Sequence, residues 1–71
     1  MPEYYLNQRQ QPNGDYEVHQ DPCNYMPAAA NREYLGYYVS CHGAVDEAKR
    51  LHPTWWRING CAFCSSACHT T

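Results

Sequence analysis

The sequence predicts a small α+β domain with a three-stranded antiparallel sheet, one main helix and a cysteine-rich C-terminal turn. Three observations predict it: an Asn-Gly turn signal near the start, an alternating aromatic segment before residue 40, and a helical apolar stripe after it. At 71 residues, a hydrophobic core alone rarely contributes more than about 3–5 kcal/mol to stability. The chain carries five Cys and four His but few aliphatic residues. We therefore expect one domain, residues 1–71, held by a metal ion or a cross-link.

The first two strands are predicted on either side of Asn13-Gly14. This dipeptide favours the two positive φ angles of a type I′ hairpin turn, with strands at residues 3–10 and 15–19. A strict two-residue turn would place Val18 opposite Arg9, which does not align the apolar side chains. We therefore expect a longer loop or a bulge between the two strands.

The third strand is predicted at residues 33–39, after a loop at residues 20–32 that contains two prolines. An alanine triplet at residues 28–30 allows one helical turn in that loop. Alternation in the strand places Leu35, Tyr37 and Val39 on one face and Tyr34 and Tyr38 on the other.

The main helix is predicted from Cys41 to Leu51. Ser40 is a favourable N-cap residue, and Pro53 ends the helix. The apolar stripe of this helix comprises Cys41, Ala44, Val45, Ala48, Leu51 and His52. A turn at residues 59–60 then leads into the cysteine-rich end, where we expect a short helix through Cys68.

Two cysteines separated by two residues are the clearest candidates for a metal site. Cys61 and Cys64 follow a Gly turn, and their spacing suits the tetrahedral coordination of zinc. His19 and Cys23 lie at the end of a predicted strand, with Pro22 turning the chain between them. We predict that Zn²⁺ is bound by Cys61, Cys64, Cys23 and His19 and that this metal staples the C-terminal turn to the domain.

The sequence also allows a different fourth zinc ligand and a redox role for the Cys61–Cys64 pair. Cys68 or His69 could replace His19 as the fourth ligand, because both follow Cys64 closely. A redox-active Cys61–Cys64 pair is the other interpretation, but such a pair normally opens a helix within a βαβ unit, which the sequence does not predict.

Cys41 has three interpretations. It is a small buried thiol on the apolar stripe, or a thiol made reactive or metal-binding by the helix N-terminus, or the disulfide partner of Cys68. A disulfide-stapled secreted interaction protein without metal is therefore an alternative to the zinc module, and it would leave at most one free thiol. The odd number of cysteines and the absence of a secretory signal at the N-terminus favour a reduced, cytoplasmic, metal-bearing protein.

Composition limits the partners and the activity. The formal net charge is −2, and the five basic residues are scattered, so a protein partner is favoured over nucleic acid, with its identity unknown. No segment is apolar enough to predict a membrane span. Trp55, Trp56 and Arg57 form a composition typical of binding hot spots. Because no catalytic grouping of side chains is visible, we expect a binding module rather than an enzyme.

Residues 15–64 resemble a known family of small zinc domains. The resemblance is carried by His19-x-x-x-Cys23, an aromatic strand, a helix with Ala44-Val-Asp-Glu-Ala48, and Cys61-x-x-Cys64. This pattern is similar to the metal-binding domain of the Ada DNA-repair protein and to related domains found beside nucleases. The resemblance implies a short sheet, a helix and a zinc site, and it assigns to Cys23 the role of a thiolate that accepts a methyl group from a DNA phosphotriester. His19 stands where that family has its first Cys.

Overall fold

A mixed four-stranded sheet carries one α-helix in the computed structural model, which describes residues 1–70. The strands are β1 (Glu3–Asn7), β2 (Asp15–Asp21), β3 (Arg32–Tyr37) and β4 (Arg57–Gly60), and the helix is α1 (Cys41–Leu51). Two 3₁₀ turns lie at Ala29–Asn31 and Ser66–Cys68. The order of strands in the sheet is β3-β1-β2-β4. The predicted α+β class with one main helix is therefore confirmed.

The prediction of three antiparallel strands is wrong in number and in direction. β4 pairs in parallel with β2, so that Asp15 lies opposite Arg57 and Val18 opposite Gly60, whereas both other pairings are antiparallel. The chain crosses from β3 to β4 through α1, and this crossover lets β4 run alongside β2 in the same direction. Because β4 has four residues and one aliphatic side chain, Ile58, it shows no periodicity in the sequence.

The β1–β2 connection is a longer loop, as expected from the misaligned two-residue register. Leu6 pairs with Val18, and the backbone N–H of Gly14 donates to the carbonyl of Gln11 over 2.8 Å. Gly14 has a φ of 95°, and no non-glycine residue has a positive φ, so the predicted type I′ turn centred on Asn13-Gly14 is absent from residues 1–70. The loop aligns the apolar side chains of the two strands.

A bulge in β3 changes the predicted faces of that strand. The register against β1 shifts between Tyr4 and Tyr5, and Gly36 adopts a φ of 122°. Leu35 is buried as predicted, whereas Val39 is 85% exposed and Tyr37 also faces solvent. Tyr38 packs against the core instead.

The core lies between α1 and one face of the sheet. Ser40 caps the helix by accepting a hydrogen bond from the backbone N–H of His42, and α1 has the predicted bounds. Its buried residues pack against the sheet in a cluster made of Tyr4, Leu6, Val18, Leu35, Cys41, Ala44 and Ala48. Leu51, predicted on the apolar stripe, is largely exposed. None of the helices in residues 1–70 has the length and apolar character needed to cross a membrane.

Candidate metal centre

Four side chains with metal-binding atoms meet beside the end of β2. They are His19, Cys23, Cys61 and Cys64, and their donor atoms all lie within 4.8 Å of one another. His19 and Cys61 are buried, and the other two cysteines are half-buried. This is the set of residues that the sequence predicted as zinc ligands, brought together from two separate segments of the chain, residues 19–23 and 61–64.

The parallel pairing of β2 and β4 produces this meeting. Gly60 ends β4 opposite Val18, and the backbone N–H of Cys61 continues the ladder by donating to the Val18 carbonyl over 2.9 Å. The chain then turns back, because the N–H of Ser65 donates to the Cys61 carbonyl over 2.9 Å. This turn places Cys64 next to His19, which follows Val18 in β2.

The distances from His19 match the edges of a tetrahedral zinc site. Its Nδ1 lies 3.6 Å from the sulfur of Cys23 and 3.8 Å from the sulfur of Cys64. With zinc–sulfur bonds of about 2.3 Å and a zinc–nitrogen bond of about 2.0–2.1 Å, a regular tetrahedron has nitrogen–sulfur edges of about 3.6 Å. The donor set, three sulfurs and one imidazole nitrogen, is one that zinc prefers, so the residues fit this metal.

Burial of His19 favours the form of imidazole that binds a metal. The side chain is 1% exposed, and this burial lowers the pKa of the ring, which favours its neutral form. Its Nε2 has no hydrogen-bond partner and lies 3.6 Å from an oxygen of Glu17. With Nδ1 directed at the sulfurs, the proton of the neutral ring belongs on Nε2, facing a carboxylate. Metal-binding histidines commonly donate a hydrogen bond from the second nitrogen to a carboxylate, and Glu17 is within a small shift of making one.

Cys64 is placed to act as a thiolate only with a cation nearby. Burial, together with a hydrogen bond to Cys23, raises the pKa of the Cys64 thiol to about 12. Its sulfur accepts a hydrogen bond from the backbone N–H of Gln20 over 3.3 Å, a contact that favours negative charge on sulfur. A metal that binds here therefore displaces protons from thiols.

Exposed aromatic side chains lie beside the four donors. Tyr25 stacks on Phe63 with ring centroids 4.4 Å apart, and Phe63 is 71% exposed. A recess of about 340 Å³ next to this pair is lined by Pro22, Cys23, Asn24, Tyr25, Phe63 and Cys64. Cys23 and Cys64 are thus the two donors of the cluster that also border this recess.

The other predicted cysteine ligands form a disulfide with each other. Cys41, the first residue of α1, is bonded to Cys68 in the turn Ser66–Cys68, which was one of the interpretations that the sequence left open. With His42 these residues form a second group whose donor atoms lie within 4.8 Å of one another. His69 belongs to neither group, and its Nδ1 lies 2.9 Å from the carbonyl oxygen of Gly60.

The predicted partner-binding residues divide between the surface and the core. Trp55 is 74% exposed. Trp56 stacks on Tyr16 at a centroid distance of 3.9 Å and on His52 at 4.2 Å, so it packs between them. Arg57 pairs with the buried carboxylate of Asp15 over 3.1 Å. Trp55 is therefore the member of this set that presents a free aromatic surface.

Sequence reasoning missed three contributors to these two groups. Glu17 precedes His19 by two residues in one strand and thus shares its face, a spacing that could have identified it. The Gln20 backbone N–H carries no sequence signal. His42 follows Cys41 directly, but only the folded chain shows that Cys68 joins them.

Comparison with known proteins identifies no family. No protein-family model matches the chain, and neither the curated proteins nor the solved structures give a match. Any assignment of function therefore rests on the residues and geometry of this chain.

Proposed function

We propose that the protein is a zinc-binding module in which Cys23, Cys61, Cys64 and His19 hold one structural Zn²⁺. The observation that carries the proposal is the agreement between the His19–sulfur distances, 3.6 and 3.8 Å, and the edges of a tetrahedral zinc site. Four protein ligands fill the coordination sphere of zinc, which is the arrangement of structural sites, whereas catalytic sites keep one position open.

The metal would supply stability that the core lacks. Three of the residues in the buried cluster are Cys or Ala on α1, and these side chains bury little apolar area. Zinc binding to small finger peptides has an apparent free energy of about 10–16 kcal/mol, larger than the contribution of a core of this size. The ion would link the end of β2 to the C-terminal segment.

A binding role for the module is supported by its exposed aromatic side chains. Phe63, Tyr25 and Trp55 all present large apolar surfaces to solvent. Aromatic residues are enriched in protein–protein interfaces, and a net charge of −2 does not favour binding to phosphates. We infer that a protein partner contacts the aromatic pair beside the metal centre.

An Ada-like thiolate acceptor is the second candidate, and the position of Cys23 is the observation that favours it. Its sulfur is half-buried and borders the recess beside Tyr25 and Phe63, so a small electrophile could reach it. In this reaction the thiolate sulfur takes the methyl group and a phosphodiester leaves. Incubation with DNA that carries a methyl phosphotriester, followed by peptide mass mapping, tests it: a methyl group on Cys23 supports the role, and an unmodified Cys23 in the zinc-loaded protein opposes it.

A fully disulfide-stapled protein without metal receives less support. The one disulfide leaves three cysteines free, whereas that alternative requires at most one free thiol. The three free sulfurs also lie in one cluster with a buried imidazole, a set of donors that zinc prefers.

Two separate histidine substitutions test the assignment of the zinc ligands. His19→Gln removes a donor atom, so purified protein should lose most of its zinc, whereas His69→Ala should retain one zinc per chain because His69 lies outside the four-donor group. Native mass spectrometry with zinc analysis measures both. Full zinc content in His19→Gln would show that His19 is not a ligand. Loss of zinc in His69→Ala alone would show that His69 is the fourth ligand instead.

A further inference from the structure

We propose that Cys41, His42 and Cys68 form a second zinc site, which the disulfide between the two cysteines closes and which its reduction opens. The three donor atoms lie within 4.8 Å of one another. This group shares no residue with the four-donor centre beside β2. It therefore goes beyond the structural zinc site proposed above and stands independently of it.

The fold holds the three ligands in place without help from the metal. Cys41 and His42 are the first two residues of α1, and Ser40 caps this helix. Cys68 ends the turn Ser66–Cys68, whose backbone is closed by a hydrogen bond from the N–H of Cys68 to the carbonyl of Ser65 over 2.9 Å. After reduction, the two sulfurs need only separate to about 3.8 Å, the sulfur–sulfur edge of a tetrahedral zinc site.

The chemistry of opening is thiol–disulfide exchange with a dithiol. The dithiol gives two electrons and two protons, is itself oxidised to a disulfide, and leaves Cys41 and Cys68 as two thiols. Zinc then displaces the two thiol protons, so that two thiolates balance the charge of the ion. The position of Cys41 in the first turn of an 11-residue helix favours a thiolate, because the helix N-terminus carries partial positive charge.

His42 supplies the third ligand from the surface. Its side chain is exposed, and its Nδ1 lies 3.3 Å from the Ser40 hydroxyl, a contact that can fix the orientation of the ring. Ser40 and Cys41 border a recess of about 360 Å³ that is open to solvent. Three protein ligands leave the fourth zinc position to water, so this second ion would be exchangeable, unlike an ion held by four protein ligands.

Zinc content before and after reduction tests the proposal on the full chain. The oxidised protein should hold one zinc, and protein reduced with a dithiol, desalted without oxygen and then supplied with Zn²⁺ should hold two. His42→Ala, an exposed position, should hold one zinc in both states, because two thiolates alone bind weakly. His69→Ala is the matched control: this histidine follows Cys68 but lies outside the group, so the variant should gain the second zinc on reduction.

Three results would overturn the proposal. They are no gain of zinc on reduction of the unsubstituted chain, a second zinc in reduced His42→Ala bound as tightly as in the unsubstituted chain, and loss of the second zinc in His69→Ala. Far-UV circular dichroism accompanies each sample: if reduction unfolds the chain, any zinc bound by unfolded thiols will not depend on His42, which again counts against the proposal. If the four-donor centre beside β2 binds no zinc but this second site does, the oxidised protein should hold no zinc and the reduced protein one.

Discussion

At the scale of single residues, Glu17 is the side chain placed to tune the candidate zinc ligand His19. Its carboxylate lies 3.6 Å from the buried Nε2 of that ring, a nitrogen that makes no hydrogen bond. A carboxylate in this position orients a metal-binding imidazole and increases its basicity. The charge of the Glu17 carboxylate therefore acts on a side chain of the candidate metal centre.

Glu17→Gln should therefore weaken zinc binding about 10- to 100-fold, the usual effect of losing such a partner. Competition with a chromophoric chelator measures the affinity. Glu33→Gln is the matched control, because the Glu33 carboxylate contacts a different histidine, His52, over 2.6 Å, and neither residue belongs to the four-donor group. Equal zinc affinities for the two variants would show that Glu17 has no role in orienting His19.

Gly60 is the residue whose small size allows the metal-binding turn to close. A Cβ atom at this position would lie 2.6 Å from the carbonyl oxygen of Ser65 and 2.7 Å from the Cβ of Cys68. Because the nearest of these contacts is with backbone, the turn cannot relieve the clash by rotating a side chain. Gly60→Ala should therefore destabilise the protein by about 1–3 kcal/mol, measured by urea unfolding of the zinc-loaded form. An unchanged unfolding midpoint would contradict the close contact between Gly60 and the Ser65 carbonyl.

At the scale of secondary structure elements, local signals in the sequence predicted some elements well. The helix α1 has its predicted bounds because its cap, Ser40, and its terminator, Pro53, are both local. The misaligned register of β1 and β2 correctly indicated a longer loop, since apolar residues must share one face. The bulge at Gly36 and the strand β4 were not predicted, because both depend on pairing with distant segments.

The sequence indicated the four side chains of the candidate site but not their surroundings. Cys61 and Cys64 were identified by their spacing, and the end of a predicted strand indicated His19 and Cys23. The parallel β2–β4 pairing that brings the four donors together could not be predicted, because β4 is too short to show a pattern. The choice between a disulfide and metal ligation for Cys41 also depended on where the C-terminal turn packs.

The disulfide attaches the C-terminal turn to α1 independently of the metal centre. It joins residues 27 positions apart, and a cross-link of this kind typically contributes about 2–4 kcal/mol. The double substitution Cys41→Ala, Cys68→Ala should lower the free energy of unfolding by that amount and leave one zinc bound. Urea unfolding and zinc analysis measure the two effects. Loss of the zinc together with the disulfide would place these cysteines in the first metal centre.

At the scale of the whole molecule, a metal ion and a disulfide would fix opposite ends of the same C-terminal segment. Cys61 and Cys64 face the end of β2, and Cys68 is bonded to α1. The sheet and the helix contribute few large apolar side chains to the core between them. Small domains typically combine a small hydrophobic core with metal ions or disulfides that supply the remaining stability.

Exposed aromatic side chains support the proposed binding role. Tyr25 and Phe63 stack on each other beside Cys23 and Cys64, Trp55 lies two residues before β4, and all three side chains are exposed. A zinc ion bound by these four buried or half-buried side chains would have no open position for a substrate. A protein partner would therefore contact the aromatic surface of Tyr25 and Phe63 beside the metal centre.

X-ray absorption spectroscopy at the zinc edge tests the central claim most directly. The oxidised, zinc-loaded protein should give one zinc with three sulfur ligands at about 2.3 Å and one nitrogen ligand at about 2.0–2.1 Å. His19→Gln, if any zinc remains bound, should lose the nitrogen contribution and keep the three sulfurs. A protein purified without zinc that does not bind the added ion, or a bound zinc with two or four sulfur ligands, would contradict the assignment of Cys23, Cys61, Cys64 and His19.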